Sequence, residues 1–169
     1  MHRTRESGDK LRIGAVGAIS RLKGLSVLQA CARHAARKNL PMEFVVVGYT
    51  SDDIKSTRAG LNVTGPYSND RAQEHIHKAK LDAIFFASTW PETYSYTLSI
   101  ALETGLPIVA FDIGAISERI RTLGGNNLIV PLAFARNPQM ITNMIRIWLE
   151  DQKVSTNQNF SSMHELVQK

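Results

Sequence analysis

The chain has one cysteine, Cys31, so no internal disulfide can form and nothing in its thiol chemistry argues for secretion. No apolar run approaches the roughly 20 residues that a membrane-spanning helix needs. The opening stretch, MHRTRESGDK, has no apolar segment behind its charges and does not read as a signal peptide. A cytoplasmic location is the expectation. Basic residues are scattered without a basic block, and only Tyr49, Tyr67 and a few phenylalanines could interleave with them as stacking groups. That pattern argues against a nucleic-acid partner. Metal-ligand spacing is also missing. His75 and His77 are two apart and point in different directions on a helix, while His34 and His164 have no partner in the sequence. No Ser-His-Asp set is argued by spacing.

What remains is the composition of a soluble globular protein of 169 residues, enough for one ordinary domain with a real core. The net charge of +5 suits an anionic ligand or surface without requiring one. No internal repeat is visible. Residues 1–10 read as a flexible lead-in, 11–151 as the folded domain and 152–169 as a polar C-terminal tail.

Short apolar runs alternate with helical patterns. Strands are expected at Leu11–Val16, Glu43–Gly48, Leu61–Gly65, Asp82–Ser88, Pro107–Asp112 and Asn127–Pro131. Leu25–Lys38 carries a helical stripe of Leu25, Leu28, Cys31, Ala32 and Ala35, which makes Cys31 a core residue. Arg71–Lys80 and Asn137–Asp151 also read as helices. A further helix of about ten residues should start near Pro91-Glu92, where proline is tolerated, and end at Gly105 and Pro107. The alternation predicts an α/β fold: a Rossmann-like parallel sheet of about six strands with helices on both faces. The strands are continuous apolar runs, as two-sided burial requires. In such sheets ligands bind beyond the carboxyl ends of the strands. The functional loops should therefore be Gly17–Gly24, Gly48–Asp53, Ser88–Tyr94 and Asp112–Ser117.

Three of these loops carry chemistry. In GAVGAISRLKG, Gly14 and Gly17 permit close backbone approach, and Arg21 and Lys23 lie beside a helix start near Gly24, a natural diphosphate site. The competing view makes both cations solvated loop charges. A dinucleotide fingerprint is excluded, because the glycines here stand at 14 and 17, with Ser20 after them, and Asp52 comes too late. In TWPETYSYT, Glu92 is expected in the first helical turn, where the helix dipole alone would favour it. The N–H groups around Ser95, Tyr96 and Thr97 would suit phosphate oxygens and leave Glu92 for sugar hydroxyls. In DIGAISERI, Gly114 allows backbone contact with a ligand, while Ser117 reads as a helix start.

This order of loops resembles the C-terminal domain of GT-B-fold retaining glycosyltransferases of glycosyltransferase family four (group 1), which include lipopolysaccharide and exopolysaccharide sugar transferases. The resemblance runs from about Leu11 to about Pro131. Its most specific part is PETYSYTLSIALETGLPIVAFDIGAISERI, a glutamate, a helix, Gly-x-Pro, a strand and a glycine loop before a glutamate. It implies two facing Rossmann-like domains, with the nucleoside-diphosphate sugar held mainly by this one. Lys23 matches the family's diphosphate lysine, Glu92 the first glutamate of its Glu-x7-Glu motif, and Ser95–Thr97 the phosphate-binding helix start. Lys23 and Glu92 are then the catalytic residues, and Gly17, Arg21, Ser95, Tyr96, Thr97, Glu103 and Gly114 complete the binding set. No cofactor or metal is expected. The implied partners are an N-terminal acceptor-binding domain, absent from this sequence, and a glycan or lipid-linked acceptor. The resemblance extends to peripheral membrane association of the full-length protein at the inner face. This chain is then an excised domain or a truncated product, inactive alone.

Two positions depart from the pattern. The family's phosphate arginine falls on Ala18, with Arg21 near enough in sequence to substitute. The second glutamate, which holds ribose hydroxyls, falls on Ile100. Losing a hydrogen bond to a charged group costs about 1.5–3 kcal/mol. Glu103 lies about 4.5 Å further along the same helix face and is the expected replacement. Three other readings stand beside the transferase: a nucleotide-sugar-binding module without catalysis, a sugar-nucleotide epimerase of the same fold, and a plain Rossmann-like interaction domain. The epimerase needs a further acidic set that is not identifiable in this chain.

Overall fold

The computed structural model describes residues 9–167, with side chains described through residue 152. Most of the lead-in expected at 1–10 therefore lies outside the described residues. Six strands form one wholly parallel sheet: β1 (Leu11–Ile19), β2 (Met42–Thr50), β3 (Leu61–Val63), β4 (Ala83–Phe86), β5 (Ile108–Phe111) and β6 (Asn127–Val130), in the order β3-β2-β1-β4-β5-β6. The helices are α1 (Leu25–Arg37), α2 (Asp53–Arg58), α3 (Ala72–Lys78), α4 (Tyr96–Glu103), α5 (Gly114–Leu123) and α6 (Pro138–Val167).

Alternate residues of each strand face opposite sides, and both sides are apolar. Ile13, Phe44, Val46 and Phe85 pack against Leu28, Cys31 and Ala32 of α1 and against Ile141 and Ile145 of α6. Val45, Val47, Ile84 and Ile108 pack against Ile76 of α3, Leu98 and Ala101 of α4, and Ile116 and Ile120 of α5. Burying both faces is what makes the strand sequences continuous apolar runs. Cys31 is fully buried, and desolvation pushes its thiol up to about 12. The thiolate is the reactive species, so the native protein should resist iodoacetamide at neutral pH while the urea-unfolded chain is alkylated. Equal alkylation rates in the two states would contradict this burial.

Four boundaries differ from the sequence-based expectation. Strands β1 and β2 stay paired through Ile19↔Thr50, so Gly17 and Gly48 are opposed strand residues, not loop residues. Helix α2 was not expected, because DIKSTR is too short and polar to show a stripe. Asp52 caps it by accepting from the Lys55 N–H at 2.9 Å, and Asp53 accepts from the Thr50 N–H and hydroxyl. Helix α5 begins at Gly114, which puts Ser117 inside it, with its hydroxyl donating to the Gly114 carbonyl. Helix α6 runs past Asp151 to Val167; no glycine or proline after Pro138 interrupts it.

Candidate functional site

The strand order reverses between β1 and β4, and such a reversal opens a crevice at the carboxyl ends of the two strands. A cleft lies there. Val16 and Ile19 of β1 and Phe85 and Phe86 of β4 line its floor, with Lys23, Glu92, Ser95 and Thr97 at its polar rim. Its enclosed volume is only about 20 Å³, room for roughly one water. A larger ligand must lie across an open shelf. A cavity of about 390 Å³ at the opposite, amino-terminal end of the strands is lined by Ala32, Ala35, Leu40, Met42 and Phe44, with only Lys10 and Glu43 charged. It gathers no comparable set of polar groups, so the chemistry points to the smaller cleft.

Lys23 is held by a tight turn. Leu25 N–H donates to the Ser20 carbonyl at 3.1 Å, and Gly24 N–H to that of Arg21 at 3.2 Å. Gly24 has φ +84°, and a Cβ there would fall 1.9 Å from the Ala87 carbonyl oxygen. Only glycine lets α1 begin this close to the end of β4. The buried Ser88 hydroxyl ties the two loops together, 3.0 Å from the Leu22 carbonyl and 2.9 Å from that of Trp90.

The α4 helix begins at Tyr96, not near Pro91-Glu92 as the proline suggested, so Glu92 is not in a helical turn. Ser95 is the stronger cap: its hydroxyl oxygen accepts from the Leu98 N–H at 3.2 Å. The Glu92 carbonyl accepts from the Ala115 N–H at 3.1 Å, which holds 91–94 as a loop against the start of α5. Gly114 permits this approach, since a Cβ on it would stand 3.0 Å from the Pro91 Cα. The N–H groups of Tyr96 and Thr97 have no acceptor within their own helix. The first turn of α4 contains no acidic residue, so none of its own side chains offsets the positive end of its dipole. Gly17 lies beside this turn; a Cβ on it would be 3.8 Å from the Thr97 hydroxyl.

The structure thus brings Lys23, Glu92, Ser95 and Thr97 together, with Gly17 and Gly114 at their margins. It does not bring in the rest. Arg21 is exposed in its turn and does not line the cleft, and Tyr96 turns its ring to solvent. Glu103 is the last residue of α4, about 10 Å along the axis from its start, and accepts from the Gln73 side chain of α3. This position, outside the cleft lining, does not supply the expected replacement for a carboxylate at position 100. Ile100 itself packs against the apolar cluster beneath α4. Sequence reasoning missed Arg119, and it named Ser88 only as the start of a functional loop. The Arg119 guanidinium donates to the Ser95 carbonyl at 3.3 Å and to the Ser99 hydroxyl at 3.2 Å, and stands 5.6 Å from the Tyr94 ring centroid. No local signal marks it, because these partners lie about twenty residues upstream in sequence. Among the described residues, no group of three or more His, Cys, Asp or Glu could hold a metal ion, and no helix is long and apolar enough to cross a membrane.

A parallel sheet wound both ways from its centre, with its cleft at the switch point, defines a Rossmann-like α/β domain of the kind found as the C-terminal half of GT-B proteins. The chain belongs to the glycosyl transferases group 1 family, whose model matches residues 10–151. Comparison with curated proteins finds no match. Among solved structures it is similar to HepE of Anabaena in complex with UDP and glucose, at 19% identity and a TM-score of 0.62, covering 86% of this chain and 40% of HepE. It is also similar to the C-terminal domain of LpcC, a glycosyl transferase group 1 protein of Francisella tularensis (21% identity, TM-score 0.62, 86% of this chain and 78% of that one). A third is the apo form of the lipopolysaccharide outer core galactosyltransferase WaaB (15% identity, TM-score 0.66, 88% and 42%). The chain therefore spans less than half of the HepE and WaaB chains.

Proposed function

We propose that this chain is the donor-binding domain of a retaining glycosyltransferase that takes a nucleoside-diphosphate sugar and passes the sugar to a glycan or lipid-linked acceptor. The observation that carries the reading is the cleft at the β1/β4 switch point, where Lys23, Glu92 and the free first turn of α4 converge. Lys23 and the N–H groups of Tyr96 and Thr97 neutralise the diphosphate, both in the bound donor and as the leaving group develops charge. The Glu92 carboxylate accepts from sugar hydroxyls. Gly17 and Gly114 keep the margins of the shelf low. No metal is needed, because the cation and the helix dipole do its work. The shallow shelf encloses too little of a donor to exclude water, so transfer requires a facing acceptor-binding domain, and the isolated chain binds without turnover. HepE solved with UDP and glucose supports the ligand class, and WaaB supports an envelope-polysaccharide acceptor.

A second reading, a nucleotide-sugar-binding module without catalysis, is favoured by Ala18 and by the packing of Ile100 into the apolar cluster. Calorimetric titration with UDP, GDP and ADP tests the shared claim. Binding of at least one in the micromolar to millimolar range is expected, and no heat from any of them at millimolar concentration would overturn both readings. Transfer by the chain once joined to an acceptor domain would then favour the enzyme over the module.

A further inference from the structure

We infer that Arg119 is a positioning residue for the anion-receiving turn of α4, and that its charge is placed there to be met by an anion. This rests on the donor-site reading and adds a residue to it. The α4 helix follows an irregular loop, 87–95, that no helix or strand ladder braces. A guanidinium is a planar fork whose N–H groups can serve two acceptors at once. Arg119 uses one nitrogen on the Ser95 carbonyl and the other on the Ser99 hydroxyl, one turn along the same helix. It therefore spans the capping residue and the first turn from outside, while its central carbon stands over the Tyr94 ring. The Ser95 carbonyl is the acceptor that the first intrahelical bond of α4 also needs, so the clamp fixes the atom that defines the helix start.

The electrostatics point the same way. A helix N-terminus is the positive end of the dipole, where cations are disfavoured. Arg119 sits at such an end, and α4 brings no acidic residue in its first turn to offset it. Lys23 adds a second cation across the cleft. The dipole and Lys23 thus face a shelf whose lining contains one carboxylate, Glu92, and Arg119 adds a third positive charge behind the first turn of α4. An anion bound there relieves the repulsion. Arg119 does not line the cleft itself, so it acts through the geometry of Ser95–Ser99 and through its field.

The test compares Arg119→Met, which keeps the volume and removes fork and charge, with Arg119→Lys, which keeps the charge alone. In the ligand-free protein, Arg119→Met should speed amide exchange at Leu98 and Ser99 by about tenfold and leave Ile84 and Val109 unchanged. Inorganic pyrophosphate, followed by NMR titration, should bind Arg119→Met at least tenfold more weakly than wild type, and Arg119→Lys should recover part of that affinity. Unchanged exchange at Leu98 and Ser99, or acceleration spread equally to Ile84 and Val109, overturns the clamp. A lysine no better than methionine for pyrophosphate overturns the charge contribution. The exchange readout needs no ligand, so it stands even if the wild-type protein binds no nucleoside diphosphate and the donor-site reading fails.

Discussion

Replacing Gly24 with alanine is expected to destabilise the fold by about 3–4 kcal/mol, a large share of the 5–15 kcal/mol typical of a domain. Two costs add. The residue has φ +84°, where an L side chain costs about 1–2 kcal/mol. The new Cβ would also meet the Ala87 carbonyl oxygen at 1.9 Å and the Ala87 Cβ at 2.7 Å. The first of these is backbone, so no side chain can swing away, and overpacking of this kind costs about 1–3 kcal/mol. Separating α1 from the end of β4 would relieve the clash, but it would pull Lys23 away from Phe85, Phe86 and Ser88 in the cleft wall. Stability and ligand binding should therefore fall together. Gly105→Ala is the control. Gly105 also has positive φ, +68°, but nothing lies within 4 Å of its Cβ position, so only the backbone cost of about 1–2 kcal/mol applies. Thermal unfolding should show Gly24→Ala melting about 10 °C below wild type and well below Gly105→Ala. Equal melting temperatures for the two variants would show that the close approach of α1 to β4 is wrong.

Lys23→Met is expected to separate the two effects: leave the fold intact and weaken ligand binding. Lys23 is exposed on a turn whose hydrogen bonds are made by backbone groups and Ser20. Surface substitutions of this kind usually shift stability by no more than about 0.5 kcal/mol. A charge-assisted hydrogen bond to phosphate is worth about 1.5–3 kcal/mol, so nucleoside-diphosphate affinity should fall roughly 10- to 100-fold. The loss should shrink as salt rises, because the exposed cation is screened. Calorimetry at two ionic strengths checks both parts. Unchanged affinity at low salt would remove Lys23 from the site.

The fold was legible in the sequence because the strands are buried on both faces. Runs such as FVVV and AIFF can satisfy two apolar faces only in a covered parallel sheet, and all six expected strands are present. Their ends were less legible. Pairing of β1 with β2 continues through two glycines that face each other across the ladder, a long-range fact that no local window contains. The proline preference at a helix start points to Pro91-Glu92, whereas α4 begins at Tyr96. The structure favours Ser95, whose hydroxyl meets an otherwise unpaired N–H.

The site divides along the same line. Lys23, Glu92 and Ser95 lie on loops that leave the carboxyl ends of the adjacent strands β1 and β4, and Thr97 lies on the first turn of α4 that follows, so sequence order and the switch-point rule gather them. Glu103 is expected from the family motif, whose second glutamate falls on Ile100, together with helix periodicity, and neither reveals that Gln73 of α3 meets it. Arg119 went unseen because its role depends on α5 packing beside α4, which only the folded sheet brings about.

The central claim is that a nucleoside diphosphate lies across the β1/β4 switch point. Backbone NMR shifts during titration with UDP, GDP and ADP test it most directly. The account predicts that the nucleotide that binds perturbs Ser20–Gly24 and Ser88–Thr97 first, with Lys23, Glu92 and Thr97 among the strongest. Shifts concentrated instead at Ala32–Met42, around the larger cavity at the amino-terminal end of the strands, or no shifts with any nucleotide at millimolar concentration, would contradict it.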